Sequence, residues 1–302
     1  MNSFSFNRFG KMLRWVLSVN KRRILYVMAA SVVGVFIAEM ILLRLSNLYS
    51  PVIMLNQYGE VGAALFALVS LILVSTIVSG VNEKRKREAF LMLPASNLEK
   101  FLALMTYTSV VCVLGVFLAF VLGDSLRMAW FWISGPCTKT TVMMETSEIG
   151  DPVETYYWWS SAIPEMVNRL TPHILEADSY SQTWLYVAMN IIVIIAIAVW
   201  THSLLIIGGT LLRKYSFVAS MLVFILFVWL LSWTIHHFGL YLFWSDVWKD
   251  GHHYVSEVGI LAYVLAILLP VLAVFNYWAS FHIFKNFQLI TNKWTNYDIL
   301  KR

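Results

Sequence analysis

Glu39, Asn190 and His202 are polar side chains set inside long apolar runs, where a membrane-embedded chain either does its chemistry or ties its helices together. An ionised carboxylate at the centre of a membrane helix costs about 2.5–3.5 kcal/mol on insertion scales. Glu39 stands near the outer end of its run, with Arg44 close along the helix to offset it. It reads either as structural or as part of a subunit interface or substrate path. Asn190 and the Thr201–His202 pair read as hydrogen-bond partners between helices. The adjacent pairs His236–His237 and His252–His253 raise the question of a metal. Neighbouring helical residues point in different directions, and no cysteine or HExxH accompanies them, so no metal site is predicted. Cys112 and Cys137 have no metal-ligand spacing, and one lies in an apolar run while the other lies in a loop. Glu145, Glu148, Asp151, Glu154, Glu165, Glu176 and Asp178 are acidic, but their spacing favours solubility over the paired carboxylates of a hydrolase. The chain is therefore not expected to be an enzyme.

The elements that position these residues are apolar runs. The 302 residues are 59% hydrophobic and 13% charged, against about 25% charged in a typical soluble domain. A helix needs about 20 apolar residues to cross a bilayer core, and residues 24–43, 61–80, 101–123, 185–207, 216–236 and 258–281 meet that requirement. The runs are continuous rather than alternating, which predicts helices and not a barrel. The fold class is thus an all-α polytopic membrane protein. Residues 1–23 precede a six-helix domain over 24–281, and residues 282–302 form a tail.

Charge sets the predicted direction. Arg8, Lys11, Arg14, Lys21, Arg22 and Arg23 lie before the first run, and Lys84, Arg85, Lys86, Arg87 and Lys100 lie between the second and third. Arg213, Lys214 and the tail residues Lys285, Lys293, Lys301 and Arg302 join the same side. Only Arg44, Arg127, Lys139, Arg169 and Lys249 of the 22 basic residues fall on the other. The positive-inside rule then puts both termini in the cytoplasm. The net charge of +5 reflects this distribution, and no nucleic-acid partner is expected. The acidic, aromatic segment 124–184 becomes a long outer loop, resting its Trp and Tyr rings on the outer interface. Before the first run, Phe6, Phe9, Leu13, Val16 and Leu17 recur at helical spacing. They predict an amphipathic helix in the inner headgroup region, either a topology anchor or a mechanical part. Pro270 is expected to break or kink the last run.

The loop over residues 81–100 carries the most information. After its basic stretch come Phe90, Leu91, Met92 and Leu93, too few to span and too apolar for a plain connector. Pro94 ends any helix there, and Ser96 with Glu99 forms a capping box for the next one. An apolar patch in this place predicts contact with lipid or with a partner protein.

Glu88, Leu91, Leu93, Pro94, Ser96 and Lys100 resemble the segment that follows the second span in the exporter-type membrane subunits of type-2 ABC transporters. The resemblance implies a six-span permease working as a homodimer or with a related permease. It also implies that the segment 84–93, with Arg87, Glu88, Phe90, Leu91, Leu93, Pro94 and Ser96 in or beside it, docks on a separate ATPase subunit. No GxxxxGK[ST] occurs in this chain, so ATP would bind that partner and no cofactor is expected here. The loop after the third span is long for the family, and the aromatic region 238–257 reads either as the family's re-entrant hairpin or as an aromatic belt. The alternative is a membrane-embedded sensor, immunity or assembly factor that binds a ligand or protein through its outer loop.

Overall fold

The structure, a computed structural model, describes residues 4–45, 51–80, 84–134, 139–141, 155–157, 160–170, 184–212, 215–249 and 253–286. The tail 287–302 and most of the segment 135–183 lie outside the described residues. Among the described residues, six helices are long and apolar enough to cross a membrane. They are α1 (Phe6–Leu45), α2 (Pro51–Gly80), the composite α4–α5, α7 (Trp184–Leu211), α8 (Ser216–Phe238) and α9 (Ile260–Lys285). The composite joins α4 (Asn97–Thr106) to α5 (Cys112–Ser134) through a π-helical turn over Tyr107–Val111. The short helices α3 (Lys84–Leu91) and α6 (Ile163–Leu170) lie between spans. Two antiparallel hairpins complete the described elements: β1 (Lys139–Thr141) with β2 (Thr155–Tyr157), and β3 (Phe243–Lys249) with β4 (His253–Val258).

The solvent these helices require is lipid. Along α8 the buried side chains are Ser216 and Ser220, while residues such as Trp229, 61% exposed, face outward. A helix that buries hydroxyls and exposes large apolar side chains such as Leu222, Ile225 and Trp229 would aggregate in water and is at home in hydrocarbon. The chain is a multi-pass membrane protein on this evidence.

Four expectations change. The amphipathic N-terminal segment and the first span are one unbroken helix, α1, rather than two. No glycine or proline lies between Lys11 and Val33, and the Lys21–Arg23 stretch consists of good helix formers, so nothing ends the first segment. The third span does not stop at Gly123: α5 continues to Ser134, so Asp124 and Arg127 are helical and the connecting segment is shorter than 124–184. Pro270 does not break α9. Its missing N–H deletes one ladder bond, and Leu269 and Ala273 on either side are buried in the cluster with Ala196 and Trp200 of α7, which holds the helix together. Finally, the aromatic region after α8 is a β-hairpin instead of a re-entrant helical one.

The chain packs as two compact units. The first holds Met1–Asn20, Leu71–Cys112 and His173–Arg302. In it α7 is central. Trp200 lies 4.4 Å from the Phe227 ring of α8, and the Ser220 hydroxyl of α8 donates to Leu204 O at 3.1 Å. A side chain at Gly209 would collide with Val78 of α2, so these two helices meet backbone to side chain. The β3–β4 hairpin is held through Phe243, whose ring is 5.4 Å from Tyr186 of α7. The second unit holds Lys21–Ser70 and Val113–Pro172. There Phe66 of α2 packs edge-on against Phe120 of α5 at 5.6 Å, and Met54, Leu55, Tyr58 and Ala162 form a small core.

Candidate functional site

In the first unit, the segment that joins α2 to α4 is anchored by one ring. Phe90, 2% exposed, lies 5.5 Å from Trp15 of α1 and 5.8 Å from Phe284 of α9. Phe284 in turn meets Phe101 of α4 at 5.7 Å. The four aromatics tie the short helix α3 to the start of α1, the start of α4 and the end of α9. Beside them is a recess of about 20 Å³ lined by Trp15, Val16, Ile77, Phe90 and Leu104.

The chain then breaks and restarts as the sequence predicts. Met92 N donates to Glu88 O at 3.0 Å, closing α3, and Ala95 N donates to Leu93 O in the turn at Pro94. Ser96 caps α4: Glu99 N donates to its hydroxyl, and Ser96 N donates back to Glu99 Oε2 at 2.8 Å.

Glu99 has a second task that the capping box did not reveal. Fully buried, it also accepts from Ser5 N at 2.8 Å and from Arg8 Nη2 at 2.9 Å. Ser5 precedes the first turn of α1, which has no acidic residue of its own. The carboxylate from α4 therefore supplies the negative charge that the α1 N-terminus favours.

The residues predicted to meet an ATPase divide into two groups. Phe90 and Arg87 are buried, and Glu88 and Leu93 are half-buried. Pro94 is exposed and Met92 is 86% exposed. Phe90 is thus an internal anchor, and among the described side chains of the segment 84–94 the exposed ones are Ala89, Met92 and Pro94. The side chain of Leu91 lies outside the described residues. Ser96 acts through its cap, and the neighbouring Lys100 is buried.

The polar residues of the spans fall in different places. His202 of α7 is a hydrogen-bond junction, with Nε2 3.0 Å from Thr108 Oγ1 and Nδ1 2.7 Å from Tyr277 Oη. Thr108 sits in the π-turn and also donates to the Leu104 and Met105 carbonyls, which the loosened ladder leaves available. Thr201 bonds within its own helix, to Ile197 O, so only His202 of that pair links helices. Asn190 is buried, and its Nδ2 has no partner among the described residues, contrary to the predicted bond between helices. Replacing His202 by Phe removes both bonds while keeping a ring. The expected cost is about 1 kcal/mol, the scale of a hydrogen bond between membrane helices, read as a small loss of resistance to unfolding in detergent.

In the second unit, Glu39 of α1 meets a cation from another helix, and the side chain of Arg44, expected to offset it, lies outside the described residues. Its Oε2 is 3.1 Å from Nε of Arg127 on α5. Arg127, with no exposed surface, also pairs with Asp124 at 2.6 Å and donates to Ser160 O at 2.6 Å. Asp124 Oδ2 accepts from the Ser161 hydroxyl and from Ala162 N, which fastens the segment leading into α6. Tyr58 of α2 lays its ring 5.0 Å from the guanidinium carbon. Arg127 and Asp124 were assigned to a loop because the third apolar run ends before them. Their i,i+3 spacing, which lets the charges cancel on a continuing helix, was the available signal.

Among the described residues no three His, Cys, Asp or Glu side chains gather as a metal site. No family model, no curated protein and no solved structure matches the chain.

Proposed function

We propose that this chain is the permease subunit of an ATP-binding-cassette exporter of the bacterial inner membrane, driven by a separate ATPase and paired with a second copy or a related permease. One observation carries the reading. The short helix α3 is plugged by Phe90 into a ring cluster shared with α1, α4 and α9, while Met92 and Pro94 stay exposed at its end. A contact that pushes on this exposed tip acts on three spanning helices at once, as a coupling element must. The positive-inside distribution supports a cytoplasmic position for it. The substrate class stays open.

The test is to purify the protein from its native membrane and identify what accompanies it. An ATP-binding-cassette ATPase is expected with the wild type. Met92→Asp is expected to cut its recovery at least tenfold, about 1.4 kcal/mol or more of binding, while leaving the melting temperature in detergent unchanged. Absence of any ATPase from the wild-type preparation would sink the reading.

A further inference from the structure

Asp124 and Glu39 share one guanidinium, and the sharing is unequal. Asp124 Oδ1 takes Arg127 Nε at 3.1 Å and Nη2 at 2.6 Å, and Oδ2 takes two donors from Ser161 and Ala162. Nε carries a single hydrogen, and that hydrogen points to Asp124. Glu39 Oε2 lies 3.1 Å from the same nitrogen yet has no hydrogen-bond partner among the described residues. It is beside the cation without receiving a proton from it.

A second group in the same place is also without a partner. Tyr58, 3% exposed, has a buried hydroxyl with no hydrogen-bond partner among the described residues. Tyr58, Glu39 and Asp124 line one cavity of about 10 Å³ together with Phe120, Ile163 and Met166. That is room for about one water molecule. Among the described residues, the charges that face the cluster from the packed elements are Glu39 of α1, Asp124 and Arg127 of α5, and Glu165 of α6 at half-burial. Glu60 of α2 and Arg169 of α6 pair with each other at 3.3 Å near the surface and cancel. Two buried carboxylates among the described residues therefore face one buried cation inside a membrane span, where an excess negative charge is strongly disfavoured.

We infer that Glu39 is a proton-binding site, its carboxyl kept neutral by a proton on Oε2 and exchanging through the cavity it shares with Tyr58. In the exchange the O–H bond at Oε2 breaks, its electron pair stays on the carboxylate, and the proton passes to a water in the cavity. Protonation gives Oε2 the hydrogen that Arg127 does not supply and removes the excess charge. A metal cation fits the site poorly. Calcium and magnesium ask for six or more oxygens, and those of Asp124 are taken by donors. The inference stands whether or not the chain is a permease.

The protein in lipid nanodiscs, titrated between about pH 5 and 9, tests it by infrared difference spectroscopy. The wild type is expected to show the carbonyl band of a protonated carboxyl, shifted in D2O and lost in Glu39→Gln. Tyr58→Phe keeps the ring on Arg127 and is expected to retain the band at a moved frequency, a readout that does not depend on folding of the glutamine variant. No band at any pH, a band that persists in Glu39→Gln, or sodium-dependent loss of the band would overturn the inference. A band unmoved by Tyr58→Phe would overturn the shared cavity.

Discussion

Arg127→Met is expected to cost about 3–5 kcal/mol, the effect of removing one member of a buried charge network and leaving the other unpaired. Methionine fills most of the space of the side chain and removes the cation. Asp124 then loses two of the four donors that hold it, and Ser160 O loses its donor as well. Because folded domains are stable by only about 5–15 kcal/mol, the variant should accumulate poorly and unfold early in a denaturant or thermal series. The control is to neutralise Asp124 too. Adding Asp124→Asn to Arg127→Met removes the uncompensated charge and should recover part of the loss, since the damage comes from what is left unpaired. A loss below about 1 kcal/mol for Arg127→Met would mean that water reaches the network and screens it.

The contrast between Glu39 and Glu99 shows which parts of this protein can be read along the chain. Spans are local: about 20 apolar residues declare themselves, and five of the six predicted runs fall wholly within helices of the structure, the sixth starting two residues before α9. The Ser96–Glu99 capping box is local too, and it is present with both of its bonds. The partner of Glu39 is not. Nearness along the chain pointed to Arg44, and the cation that reaches it comes from α5. Arg8 likewise read as one more inward positive charge, whereas it closes on Glu99 from 91 residues away. Both side chains had a sufficient local explanation, so nothing in the pattern called for a distant one. The π-turn at Tyr107–Val111 has no signal in composition, and the contact that Thr108 makes from it lies with His202 on another helix.

Phe90 carries the second large effect and separates anchor from docking surface. Phe90→Ala is expected to cost about 3–5 kcal/mol, the range for emptying a buried aromatic site. The rings of Trp15 and Phe284 lose the surface between them, and the recess beside Leu104 enlarges rather than collapsing. Thermal unfolding of the purified variant measures the loss, with Phe90→Leu retaining about half of the stability because it refills most of the volume. An apolar residue in a basic loop is read equally well as a patch for a partner or as a plug for its own fold, since composition is the same in both cases. Burial decides between them, and at Phe90 it decides for the plug. The two variants should therefore diverge. Phe90→Ala lowers stability and takes partner binding down with it, whereas Met92→Asp, at a side chain 86% exposed, lowers partner binding alone. If Phe90→Ala left the melting temperature unchanged and removed only the partner, the ring would be reaching outward, and the short helix would be a free arm instead of a lever fixed to three spans.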